Sequence, residues 1–428
     1  MKKVHFIGIG GIGMSALAQY FKDQGCDISG SDRDVSPVTE LLEKKGIQIV
    51  IGQKAENVPV DAEIVVYSDA VPEDNPERAR AQELGISQRS YFAMLGEVSA
   101  GKKTVAVAGT HGKTTTTGML AKILHDAGES PTAVVGSIVK DFGSNYLAGT
   151  SDIFVVEACE YKDHLLELSP QVLVITNLEL DHTDFFPSLS ALQETFRKAI
   201  ECVPENGVIV TDTSNSNIAP FLVGAKAQVV DYTKEPSYKL LLPGEFNIMN
   251  ARAAAAAARL FLCGNQMSSD CGHLISTSLA SFQGTWRRFE YKGKTKNGAD
   301  VYDDYAHHPT AVRETLKALR AKVAGKIIVA FHPHLYSRTR DLLDEFATAF
   351  TGADRVLIAP IYPAREVDDG TISSEILAER IRATGTDAIA LNSFDVIEKE
   401  LSLAGLGDTI MTMGAGDIYK IADTLITK

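Results

Sequence analysis

One glycine turn, Gly109, Thr110, His111, Gly112, Lys113, Thr114 and Thr115, combines the residue types that hold a triphosphate. The apolar run before it, Val105–Ala108, has the character of a buried strand, and the residues from Lys113 onward that of a helix's first turn, whose free N–H groups face phosphates. There Lys113 offsets β/γ-phosphate charge and the Thr114 hydroxyl sits on Mg²⁺. The spacing departs from GxxxxGK[ST], because Val107 stands where that pattern has its first glycine. Two more groups suit a metal beside phosphates: Glu157, ending the strand Ile153–Val156, and His182, in the segment after the strand Val172–Thr176. Glu160 is close in sequence but lies beyond the strand end, which places it less well.

A second glycine turn opens the chain. Gly8, Gly10 and Gly13, with Gly11 between them, form GxGxxG after the strand Val4–Ile9, and Asp32 follows nineteen residues beyond Gly13. That pattern seats a diphosphate on a helix N-terminus with an acid near a ribose, and alone it suggests NAD. A chain with a separate triphosphate loop can instead use it to grip a nucleotide-activated substrate. Toward the C-terminus, Arg287 and Arg288 fall at a domain junction, where a guanidinium can cross to a transferring phosphate as domains close. Asp303–Pro309 and Phe331–Arg340 each follow a strand, so Asp304, Tyr305, His307, His334 and Arg338 share one rim, suited to a small zwitterion whose carboxylate pairs with arginine.

The elements that position these groups alternate strand with helix throughout. With 428 residues, 45% apolar and 23% charged, the chain has the composition of an ordinary globular protein and a length for about three domains of roughly 150 residues each. The first, residues 1–100, contains strands at Val4–Ile9, Cys26–Gly30, Gln48–Ile51 and Glu63–Tyr67 around a helix Met14–Gln24. The second, 101–290, adds Gly207–Thr211 and a helix Asn250–Leu262 whose run Ala253–Ala258 is structural. The third, 291–428, has strands at Val301–Asp304, Lys326–Phe331, Arg355–Ala359 and Thr409–Met413. The expected fold is α/β throughout, with Rossmann-like first and last domains around a P-loop ATPase-like centre. A net charge of −13 argues against a nucleic-acid binder. Five cysteines without CxxC spacing indicate neither a disulfide framework nor zinc. The apolar start is broken by glycines, unlike a signal peptide, and no run approaches the ~20 apolar residues of a membrane span, so a cytoplasmic protein is expected.

Ten segments in order, HFIGIGGIGMSALA, SGSD, AGTHGKTTTT, EACEY, TNLELDH, RRFE, DDYAHHP, PHLYSRT, YPARE and MGAGDI, make the chain resemble the ATP-dependent muropeptide ligases over nearly its whole length. The resemblance implies a cell-wall precursor enzyme with UDP-N-acetylmuramate on the first domain, ATP with Mg²⁺ on the second and L-alanine on the third, acting as a monomer or weak homo-oligomer. It gives Lys113 and Thr114 to phosphates and magnesium, Glu157 and His182 to metal, Asn247 to adenine, Arg287 or Arg288 to the transferring phosphate, Asp304, Tyr305 and His307 to the ATP–acceptor junction, and His334 and Arg338 to the amino acid. Phe246 stands where the family often has histidine, so the base is expected to be held by stacking. Sister ligases carry a carbamylated lysine fifteen positions after the aspartate of the DH motif; Phe196 occupies that position here, which favours the alanine-adding branch. His307 is the candidate to assist deprotonation of the amine. Three alternatives stand beside this reading: a recycling ligase that attaches a whole peptide to the same sugar, an NAD-linked oxidoreductase, and a nucleotide-binding module without chemistry.

Overall fold

Parallel strands bury both faces and are therefore apolar along their length, a condition met by Val4–Ile7, Val105–Ala108 and Ile327–Phe331. In the structure, a computed structural model describing residues 2–263 and 269–427, each of these runs lies at or next to the centre of its own sheet. The N-terminal sheet contains β1 (Lys3–Ile7), β2 (Asp27–Asp32), β3 (Gln48–Ile51), β4 (Ile64–Tyr67) and β5 (Ser87–Ser90), all parallel in the order β3-β2-β1-β4-β5. Strand order reverses between β1 and β4, where loops part and ligands bind. The first glycine turn leaves β1 at that point: a side chain on Gly8 would stand 3.2 Å from Ser68, just past β4.

The middle sheet comprises β6 (Lys103–Ala108), β7 (Thr132–Val139), β8 (Ser144–Leu147), β9 (Ile153–Glu157), β10 (Val172–Ile175), β11 (Val208–Thr211) and β12 (Gln228–Asp231), in the order β12-β11-β10-β6-β9-β7-β8. Only β8 runs antiparallel to its neighbour among these described strands. The register sets Val107 against Glu157 and Ala108 against Ile175, so the phosphate loop, Glu157 and the segment after β10 emerge at one level. Helix Glu245–Leu262 packs its buried alanines against helix Lys113–Asp126, an approach that larger side chains would prevent.

The C-terminal sheet holds β13 (Glu290–Lys294), β14 (Asp300–Asp304), β15 (Ile327–Phe331), β16 (Arg355–Ile358), β17 (Asp387–Ala390) and β18 (Thr409–Met413), ordered β13-β14-β18-β15-β16-β17, with β13 antiparallel. Asp304, Phe331 and Met413 are level across it, which brings the segments after them to one rim. Predicted and observed elements agree at Ile153–Glu157 and Thr409–Met413, while the alanine-rich helix begins at Glu245 rather than Asn250. Unpredicted were β5, β7, β8, β12, β13 and β17, all but β7 short, and several polar. One cysteine expectation is corrected: Cys263 and Cys271 are joined by a disulfide, because the helices on either side of 264–268 end and begin next to one another, with Cα atoms 6.6 Å apart.

Candidate active site between three domains

Helix Lys113–Asp126 starts directly from the phosphate loop, with Gly112 at its N-cap in a left-handed conformation (φ +84°) and an added side chain there excluded by Asn250. Gly109, at φ +128°, turns the chain out of β6. The loop is braced before any nucleotide arrives: Thr110 Oγ1 donates to the Glu179 carbonyl and the His111 N–H to Asn177 Oδ1 at 2.9 Å. Lys113 Nζ donates to the carbonyls of Gly109 and Thr110 and, at 2.9 Å, to Glu160 Oε1. Glu160 is thus in direct contact with the phosphate-loop lysine, better placed than its position beyond the strand end suggested. The chain doubles back after it through Lys162 and Asp163, both left-handed at φ +53° and +61°, which returns the carboxylate to the loop. Burial disfavours its charge, but the Lys113 ammonium and His182 together outweigh that and hold its carboxyl below the ordinary range.

The expected metal donors divide into two groups. The Thr114 hydroxyl donates to Glu157 Oε1 at 2.9 Å, and Glu157 Oε2 accepts the Gly136 N–H at 2.7 Å, a contact that only glycine permits at 136. His182, left-handed at φ +54°, turns its Nε2 toward Glu160 Oε1, 3.6 Å away. Its Nδ1 and Glu160 Oε2 are buried without hydrogen-bond partners. Hydroxyl and carboxylate oxygens suit Mg²⁺, and two orphaned acceptors beside them fit a site that receives a cation. Among the described residues, the one trio of histidine and acidic side chains already gathered at metal-compatible spacing is His111, Glu179 and His308. There, however, Thr310 Oγ1 donates to Glu179 at 2.7 Å, and both His308 nitrogens are engaged, by the Leu180 carbonyl and the Thr310 N–H.

The paired arginines have different fates. Arg287, at φ +60°, turns into the C-terminal sheet: its guanidinium donates to Asp303 Oδ2 at 2.9 Å and to the carbonyls of Gly416 and Gly414, and it is buried. This corrects its candidacy as a phosphate ligand, since its donors hold the domain's own loops. Arg288 instead reaches back, Nη2 donating to Thr114 Oγ1 at 3.2 Å, with Tyr305 beneath it at 4.9 Å. Asp304 accepts the N–H groups of Phe289 and Ala306, and burial pushes its carboxyl up to about 6. The Nδ1 of His307 lies 2.9 Å from the Tyr305 carbonyl, and burial, with Arg338 nearby, drives the imidazole well below its usual range and keeps it neutral. His334 is likewise lowered to about 3. Arg338, only 1% exposed, donates to Asp181 Oδ1 at 2.8 Å and contacts His334 Nδ1 at 3.0 Å. Sequence reasoning missed Asp181 and Glu179; their signal was three acidic residues crowded around His182 in ELDHTD.

Of the first glycine turn, Gly8 (φ +80°) makes the bend, Gly11 is the helix N-cap, Gly13 leaves room for the Tyr91 ring, and the Gly10 N–H donates to Asp32 Oδ2 at 2.7 Å. Asp32, expected from the sequence near a ribose, here accepts from the turn itself. A single cavity of about 800 Å³ is lined by Gly10 and Ile12 from this turn, by Thr110–Thr115, and by Tyr305, His307 and Arg338 from the third domain. Asn247 and Phe246 border it as well, the Asn247 amide donating to the Pro243 carbonyl. Phe196 does not reach the site, being buried in the apolar core of the middle domain.

Three α/β domains closing on one cavity, with a phosphate loop at its centre, define a multidomain enzyme that uses a nucleoside triphosphate. Three family models match in succession: the Mur ligase family catalytic domain over residues 3–103, the Mur ligase middle domain over 107–238, and the Mur ligase glutamate ligase domain over 287–416. The chain belongs to the Mur ligase family, ATP-dependent enzymes that form amide bonds. It is 40% identical to the UDP-N-acetylmuramate–L-alanine ligase of Acetivibrio thermocellus, covering 99% of this chain and 96% of that protein. The enzyme of the same name from Clostridium acetobutylicum is 38% identical over 100% of this chain and 98% of its own. Among solved structures, the UDP-N-acetylmuramate-alanine ligase of Thermotoga maritima superposes with a TM-score of 0.81 at 28% identity, covering 100% and 99% of the two chains. A murein peptide ligase from Psychrobacter arcticus gives 0.76 at 26%, covering 100% and 98%. No described helix is long and apolar enough to cross a membrane.

Proposed function

We propose that this enzyme joins L-alanine to the lactyl carboxylate of UDP-N-acetylmuramate, with ATP converted to ADP and phosphate, as a cytoplasmic step of peptidoglycan precursor synthesis. The observation that carries the reading is the common cavity: a diphosphate turn and a triphosphate loop from different domains face the same space, so a carried sugar and an energy donor meet there. The UDP portion lies on the Gly8–Gly13 turn, ATP on Gly109–Thr115 with its base toward Phe246 and Asn247, and the amino acid against the third domain's rim.

The lactyl carboxylate attacks the γ-phosphorus, the bond to ADP breaks, and an acyl phosphate forms; the alanine amine then attacks the acyl carbon and phosphate leaves. Two anions must approach each other in the first step. Lys113 and Arg288 supply fixed positive charge there, worth most in a site from which water is excluded. Thr114 and Glu157, with His182, would hold Mg²⁺, which when bound neutralises phosphate charge. Closure of the three domains keeps water from the acyl phosphate. His307, neutral and with Nδ1 directed to a carbonyl, has its Nε2 lone pair available for the amine proton.

The names of the relatives support alanine over a peptide, and hydride transfer has no use for a phosphate loop. The test is phosphate release from ATP with UDP-N-acetylmuramate, compared across L-alanine, glycine, L-serine and a tripeptide. L-Alanine should give the highest kcat/KM, and Lys113→Ala should abolish turnover while UDP-sugar binding persists. Preference for the tripeptide would replace the reading with the recycling ligase, and near-normal release by Lys113→Ala would remove the phosphate-loop assignment.

A further inference from the structure

The reaction as written leaves one buried charge without a task. Glu160 is 1% exposed, its Oε1 accepts from Lys113 Nζ at 2.9 Å, and its Oε2 has no partner. An ammonium has three N–H donors, and those of Lys113 have three acceptors here: two carbonyls of the loop and Glu160. The carbonyls are part of the loop that must cradle the nucleotide. A phosphate oxygen can take Lys113 only by displacing the third acceptor, which carries the same sign of charge as the phosphate. The carboxylate is also anchored: its segment continues through left-handed Lys162 and Asp163, and Asp163 accepts a hydrogen bond from Thr195. It therefore stays close to the loop after Lys113 is withdrawn, with His182 3.6 Å away as its other neighbour.

We propose that Glu160 is a positioning and selectivity residue that stands in for a phosphate on Lys113 in the empty loop and makes the site discriminate against nucleotide arriving without its metal. When nucleotide takes Lys113, Glu160 is left as a buried anion beside other anions, an unfavourable arrangement unless a cation enters with the phosphates. Metal-free nucleotide is penalised and the metal complex is not. Thr114, next to Lys113 on the helix, is hydrogen-bonded to Glu157, and His182 Nδ1 is buried without a partner, so oxygen and nitrogen donors for such a cation are present. The inference rests on the nucleotide site proposed above.

The test measures ADP and a non-hydrolysable ATP analogue binding to the full chain by calorimetry, once with EDTA and once with excess Mg²⁺. Wild type should bind far more tightly with Mg²⁺. Glu160→Gln should bind metal-free nucleotide at least about tenfold more tightly than wild type and lose most of the gain from Mg²⁺. Glu160→Asp, which keeps the charge, should retain wild-type discrimination; Glu160→Ala should behave as Glu160→Gln does and replaces it if that variant does not fold. An unchanged or weaker metal-free affinity in both charge-removing variants, with the Mg²⁺ gain intact, overturns the role of Glu160 alone. Absence of any nucleotide binding by wild type with Mg²⁺ overturns the nucleotide site, and this inference with it.

Discussion

The two joints that hold the three domains together are made of different chemistry. Between the first and second, helix Ile12–Asp23 lies on β7 and β8 through a buried network whose bonds across the joint join neutral groups, with the Lys45 ammonium also donating to Gln19 Oε1 from within the first domain: Gln19 Nε2 donates to Asn145 Oδ1 at 3.0 Å, Asn145 Nδ2 donates to the Ile12 carbonyl and to Ser15 Oγ, and Ser144 Oγ donates to Gln19 Oε1. Around it pack Ala16, Tyr20, Tyr146 and Phe154. Between the second and third, one segment, residues 179–184, carries two ion pairs, Asp181 with Arg338 and Asp184 with Arg365, flanked by hydrogen bonds from Thr310 Oγ1 to Glu179 and between His308 Nε2 and the Leu180 carbonyl. The first joint is complete without ligand and specifies one geometry. The second sits beside the phosphate and metal donors, so bound charges act on it directly. The first domain is locked onto the second, and the third rests on a seat whose charges adjoin the phosphate loop.

Asp181→Ala should have the largest effect, because it leaves the Arg338 guanidinium buried with no counter-charge. A loss of roughly 3–5 kcal/mol is expected, read by urea denaturation, together with a rise in KM for L-alanine as the third domain loses its seat. Unchanged stability would mean that the pair is not buried as described. Asn145→Ala removes the centre of the first joint and takes from Gln19 Nε2, Ser15 Oγ and the Ile12 carbonyl their partner across it, although Gln19 keeps the Ser15 carbonyl and Ile12 keeps the Ser15 hydroxyl, a loss of about 1–3 kcal/mol. That loss should be insensitive to salt, and strong salt dependence would erase the contrast between the joints. Arg365→Ala breaks an ion pair whose arginine is 43% exposed, so at most about 1 kcal/mol is expected, shrinking further in high salt. A loss as large as that of Asp181→Ala would show that the charged joint depends on its rim rather than its centre.

What the sequence revealed and what it hid follow from the range of the forces involved. Both glycine cradles were legible, because Gly8 and Gly112 are required by left-handed backbone and Gly13 by the Tyr91 ring. Central strands declared themselves through unbroken apolar runs, whereas β5 (SQRS) and β13 (EYKGK) are edge strands with no such pattern. Adjacent arginines cannot be told apart by spacing; with a left-handed turn at Arg287, it is Arg288 that reaches Thr114 on the loop. Glu160 looked remote for a related reason, since two left-handed residues after it reverse the chain. The contacts of residues 179–184 with the third domain join partners more than 120 positions away, beyond any local pattern.

The central claim is that the sugar's carboxylate and the γ-phosphate of ATP meet in the shared cavity. It is tested most directly with UDP-N-acetylmuramate carrying heavy oxygen in its lactyl carboxylate, by mass spectrometry of the phosphate released when L-alanine is ligated. One labelled oxygen should appear in each phosphate formed. Unlabelled phosphate accompanying full ligation would show that the carboxylate never attacked the γ-phosphate, and would contradict the account.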